Sequence, residues 1–153
     1  MTVVHRGFDT LTLAVKATIG TSFFETLQEA KDRAEKERRD VQVDYRGITF
    51  LLKPHGGAGY AFIASGGKDG ANWAFKKPNA KDPWGIRVTF GSFFLAMYGL
   101  GAAKAHLDET LGSLGIRFAA KDISIGRADY CVDICANEFA LEPDNFVMHS
   151  KTD

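Results

Sequence analysis

The stretch "ISIGRADYCVDI", residues 123–134, sets Arg127, Asp129 and Asp133 among apolar residues. Its composition is that of a β-strand, in which residues two apart share a face. Arg127, Asp129, Cys131 and Asp133 then project to one side, and Ala128, Tyr130, Val132 and Ile134 to the other. The second set suits a core. The first carries two carboxylates and a guanidinium, groups that hold a divalent cation and meet a phosphate. At ~3.3 Å per residue the two aspartates stand ~13 Å apart, too far to ligate one Mg²⁺ directly. Either one aspartate takes its partners from neighbouring strands, or a bulge draws the pair together. The alternative without chemistry is a sheet face open to water, with Arg127 pairing Asp129 of a neighbouring strand or molecule.

Other reactive residues are thinly spread. Cys131 and Cys135 lie ~13 Å apart on an extended strand, beyond the ~7 Å that a disulfide spans. They read as small semi-buried thiols, with zinc binding as the alternative. His5, His55, His106 and His149 show no H-x-H or H-x3-H spacing. The glycine-rich run "PHGGAGYAFIASGGKDGAN" lacks the spacing of a phosphate loop: Phe62 stands where the first glycine would, and Asp69 follows Lys68. Hairpin turns account for it.

A second candidate surface lies in "KDGANWAFKKPNAKDPW". Here Lys68, Lys76, Lys77 and Lys81 alternate with Trp73, Phe75 and Trp84. Rings stack on unpaired bases and lysines meet phosphates. An edge hairpin protected from aggregation by its lysines is the competing reading. Formal net charge is zero, which argues against a protein that holds nucleic acid by bulk charge alone. The charge is uneven: residues 68–87 are basic, whereas Asp129, Asp133, Glu138, Glu142, Asp144 and Asp153 face Lys151 alone in the last stretch.

The elements that must position these residues follow from periodicity. "FDTLTLAVKA" alternates as a half-buried strand. Phe23, Leu27, Ala30 and Ala34 form a helical stripe, and Ser22 with Glu25 has the spacing of a capping box. Short strands follow, with alternation at Val41, Val43 and Tyr45, at Ile48, Phe50 and Leu52, and at Tyr60, Phe62 and Ala64; the turn signals "SGGKDGAN" and "PNAKDP" then set off "WAFKK" and "WGIRVTF". A second helix fits 99–114 through Leu100, Ala103, Leu107, Leu111 and Leu114, with Gly115 as its stop. A strand over 122–134 closes the order β-α-β-β-β-β-β-α-β. This is an α+β arrangement, an antiparallel meander with two helices on one face of a single domain. No apolar run approaches the ~20 residues of a membrane span, and no secretory signal opens the chain, so a cytoplasmic protein is expected. After Phe139 the chain trails off without a closing element and reads as part of a longer protein.

"RADYCVDI" resembles the R-x-D-x-x-x-D strand of the replication initiation factor family, the rolling-circle initiators of plasmids and filamentous phages related to conjugative relaxases. The "GFDTLTL" strand, the charged helix, the strands and "SFFLAMYGLGAAKAHLDETLGSLG" are similar in order to the N-terminal part of such proteins. The resemblance implies nicking of one DNA strand at an origin, single-stranded or in a hairpin, by a tyrosine that stays linked to the 5′ phosphate. A divalent metal, Mg²⁺ or Mn²⁺, would polarise that phosphate. It places Asp129 and Asp133 at the metal, with at least one of them a ligand, and Arg127 on a carboxylate or phosphate; the DNA-facing residues, read from their chemistry, are Lys68, Trp73, Lys76, Lys77 and Lys81. The family's tyrosine lies after this strand; here Tyr45, Tyr60, Tyr98 and Tyr130 all stand at or before the motif, and none is assigned as nucleophile. The rival expectation is a non-catalytic DNA-binding or protein-interaction domain. A homodimer stays open.

Overall fold

The computed structural model describes residues 1–67 and 70–137. Lys68 and the acidic positions Glu138, Glu142, Asp144 and Asp153 lie outside the described residues. Seven strands and two long helices follow the expected order: β1 (Thr2–Val15), α1 (Thr21–Glu37), β2 (Val41–Tyr45), β3 (Ile48–Leu52), β4 (Phe62–Ser65), β5 (Asn72–Phe75), β6 (Ile86–Phe90), α2 (Ser92–Ser113) and β7 (Ile123–Cys135). A short 3₁₀ turn, Ala120–Asp122, leads into β7. Every pairing is antiparallel, in the order β2-β3-β4-β5-β6-β1-β7. The meander therefore runs only from β2 to β6, and β1 enters between β6 and β7.

One face of the sheet is the core. Leu13, Val15, Phe50, Phe62, Trp73, Phe75, Val88 and Phe90 are buried there under the two helices. Helix α1 buries Phe23, Leu27, Ala30 and Ala34, the stripe its sequence spacing requires. The Phe23 ring meets Phe50 and Phe75 edge-on or tilted, at 6.1 and 5.3 Å between centroids, geometries that aromatic quadrupoles favour. The expected capping box is not formed. The N-cap lies two residues earlier, at Gly20, with no side-chain cap.

Helix α2 differs more from its sequence reading. It starts at Ser92 rather than 99, and Gly99, at φ 76°, splits it into two helical pieces. That left-handed φ is open to glycine at little steric cost. Leu100, the residue just after the break, is exposed, while Ala103, Leu107, Leu111 and Leu114 further along the second piece are buried. The stop after Leu114 is as expected: the Ile116 N–H donates to Leu111 and the Gly115 N–H to Gly112, the paired bonds that close a helix C-terminus. No helix among the described residues is long and apolar enough to cross a membrane.

Candidate metal and DNA-facing site

The site grows from a mismatch in strand length. β1 has 14 residues, yet it pairs with β6 only over Leu11–Val15. Its pairing with β7 runs from Thr2 to Val15. Residues 2–10 and 129–135 therefore form a two-stranded ribbon that extends past the rest of the sheet. β7 is an edge strand, and most of it is exposed.

Three register shifts shape the β1–β7 ladder. Val4 and Asp9 are the extra residues in β1, and Gly126 is the extra residue in β7. Between Arg127 and Asp133 β7 is regular, so no bulge draws Asp129 towards Asp133, and their ~13 Å separation stands. Thr12 pairs Arg127, Thr10 pairs Asp129, Gly7 pairs Cys131 and His5 pairs Asp133. The Thr12 hydroxyl meets that of Thr89 on β6, 3.1 Å away, on the face opposite Val88 and Phe90. The charged residues of β7 thus lie on the helix-free face of the sheet.

The two aspartates have different partners. Asp129 accepts from its strand neighbour Arg127, Nε at 2.8 Å and the terminal nitrogen at 2.5 Å. That hydrogen bond first, then the charges of Asp129 and Asp9, raise the pKa of the guanidinium. Asp133 instead gathers with His5 and Cys131. One ligand atom from each lies within 4.8 Å of the other two. His5 reaches the group by lying across Gly7: a Cβ on Gly7 would stand 3.0 Å from His5 Nε2. Partial burial, then the carboxylates of Asp133 and Asp9, push the Cys131 thiol up. Cys131 and Cys135 are both free, and Cys135 donates to the Asn137 side chain at 3.3 Å.

The opposite face of the ribbon does not form core as expected. Tyr130, Val132 and Ile134 point to the helix side, but the helices do not reach so far along β1 and β7. These residues are 61%, 47% and 49% exposed. Phe8 packs edge-on against Tyr130, 5.5 Å between centroids.

The lysine-rich surface is rearranged by burial. Trp73 is 1% exposed, stacked beside Phe75 and packed near Phe50 and His106, so neither of its faces is open to a base. Lys76 pairs with Asp82 and lies 4.6 Å over the Tyr60 ring, while Arg87 sits 4.7 Å from the same ring. The hydrogen bond from Lys76 holds Asp82 below the usual carboxylate range. Lys77 lies 4.1 Å over Phe24 and is exposed, as is Lys81. These lysines follow the Phe75 end of β5, which aligns through Ile86 with Val15. His5 lies ten positions back along β1, roughly 30 Å away at the strand rise. The two candidate surfaces therefore stand at opposite ends of β1.

His5 is the residue the sequence reading missed. No spacing rule links it to Cys131 and Asp133; only the strand register does. A groove of about 510 Å³ beside Lys104, Asp108, Arg117 and Ile123 contains none of the candidate residues. Comparison with protein-family models, with curated proteins and with solved structures finds no match.

Proposed function

We propose that this chain is the N-terminal part of a rolling-circle DNA replication initiator, which in its full form nicks one strand with a divalent metal and a tyrosine. The observation that supports this best is the helix-free face of β7. Arg127 and Asp129 form an exposed ion pair there, and Asp133 gathers with a histidine from the adjoining strand. An exposed strand with guanidinium and metal-ligating groups on one side is suited to a phosphodiester held by an ion.

A second reading, a binding domain without cleavage chemistry, is favoured by the tyrosines. Tyr130 projects to the face opposite Asp133, Tyr60 is buried, and Tyr45 packs on Phe23. Tyr98 is exposed but packs on Phe94 in α2.

The test uses labelled single-stranded and hairpin oligonucleotides with the native protein in Mn²⁺ or Mg²⁺. Metal-dependent cleavage of one strand, leaving protein on the 5′ phosphate, is the expected outcome. Binding without cleavage selects the second reading. Absence of both binding and cleavage overturns the proposal.

A further inference from the structure

We infer that His5, Cys131 and Asp133 form a three-ligand site for a borderline transition-metal ion of the zinc class, with its remaining coordination position open to solvent. The inference deepens the divalent-ion part of the proposed function. It rests on that reading for the expectation that this face holds an ion, and it changes the ion and adds two ligands.

The donor set decides the ion. Mg²⁺ takes oxygen ligands in near-ideal octahedra and keeps several waters. A thiolate, an imidazole and a carboxylate together instead suit zinc and its neighbours. Bonds of about 2.0–2.3 Å at the tetrahedral angle place ligand atoms about 3.3–3.7 Å apart. The three donors already lie within 4.8 Å of one another, so closing on an ion takes rotamer adjustment rather than backbone movement.

The backbone supports the same grouping. His5 and Asp133 are direct cross-strand partners, and Cys131 lies opposite Gly7, across which the His5 ring is laid. A side chain at position 7 would occupy the space the imidazole uses. Arg127 is engaged with Asp129 two residues further on, so its cation does not displace an ion from Asp133. Three protein ligands with a solvent-facing fourth position is the coordination pattern of zinc sites that bind water or substrate. The ligand that such a site would take is an anionic oxygen, of which a phosphodiester oxygen is one source and free phosphate another.

The experiment is an anaerobic titration of the chelator-treated full chain with Co²⁺, followed by back-titration with Zn²⁺. One equivalent should produce a thiolate-to-cobalt charge-transfer band that zinc abolishes. Cys131→Ser should remove the band, and Cys135→Ser should leave it. His5→Gln and Asp133→Asn should each weaken affinity by at least about tenfold, the loss usual even for an outer-shell partner. Gly7→Val, which removes no ligand, should also weaken it by displacing His5. All variants lie on the exposed ribbon, and their melting temperatures without metal report whether the fold persists. A missing band, a band that follows Cys135, or a stoichiometry of two chains per ion overturns the site. Cobalt binding without any DNA binding or cleavage leaves the site standing and removes the initiator reading. Manganese-dependent DNA cleavage with no cobalt band does the reverse.

Discussion

His5 and Asp133 face one another across the β1–β7 ladder, where β1 has run past β6 and pairs only with the edge strand. Their meeting depends on the register shifts in β1. With Asp9 as an extra residue, His5 falls opposite Asp133 rather than Ile134, and it shares a face with Cys131. A one-residue slip would send the imidazole to the Tyr130 face and separate the donors.

Trp73 is a core residue, and its removal should act on stability. Trp73→Ala empties a fully enclosed site among Phe50, Phe75 and His106 and should cost about 3–5 kcal/mol. For a chain of this length that is a fall of roughly 10 °C in melting temperature. Thermal unfolding followed by circular dichroism measures it. A variant that melts normally but binds DNA less well would mean that the indole is accessible after all.

The lysines should divide by their engagement. Lys77→Ala and Lys81→Ala each remove an exposed cation; if this end contacts phosphate, each lowers the slope of log affinity against log salt by about 1. Lys76→Ala also breaks the pair with Asp82 and uncovers Tyr60. It should lower the melting temperature where the other two leave it unchanged. Parallel salt titrations and melts of the three variants check this.

His106 should make the fold acid-sensitive. Its ring packs among Trp73, Phe90 and Phe94, and its buried Nε2 has no hydrogen-bond partner among the described residues. Burial lowers its pKa from the ordinary 6.5, and the nearby Glu109 charge opposes this only in part. The unfolded chain therefore takes up the proton first as pH falls. The stability tied to a neutral His106 is complete above about 6.5 and is lost as pH drops from there through the lowered folded value. His106→Phe should flatten the melting-temperature profile in that window. An unchanged profile would place the acid sensitivity elsewhere.

Gly99 should tolerate no side chain without strain. At φ 76° a Cβ is unfavourable even though nothing crowds the position. Gly99→Ala should destabilise the chain modestly, by about 1 kcal/mol, readable in urea unfolding midpoints.

The parts of the molecule that local periodicity controls were legible. Phe23, Leu27, Ala30 and Ala34 gave the buried face of α1, and alternation together with turn signals gave the strands of the meander. The two faces of β7 were also correctly separated, because side-chain direction depends only on the strand. What each face meets was not legible. Tyr130, Val132 and Ile134 have core composition, but the helices cover β1 only further along. Trp73 shares its stretch with lysines, yet it lies within β5 and is buried, while Lys77 and Lys81 fall beyond the strand's end at Phe75 and are exposed. His5 could not be joined to Asp133 from spacing, since bulges at Val4 and Asp9 set that register and neither has a sequence signature of its own. Gly99 looked like the start of a helix because the pieces on both sides of it are helical.

The central claim is that the helix-free face of β7 and the adjoining β1 is the working surface. The most direct measurement is fluorescence anisotropy of a labelled single-stranded hairpin oligonucleotide titrated with the protein in Mn²⁺, comparing wild type with Arg127→Ala and Asp133→Asn. The account predicts salt-dependent binding that both β7 variants weaken several-fold at unchanged melting temperature. Binding that ignores both variants and follows Lys77 and Lys81 instead would contradict it, as would no binding at all.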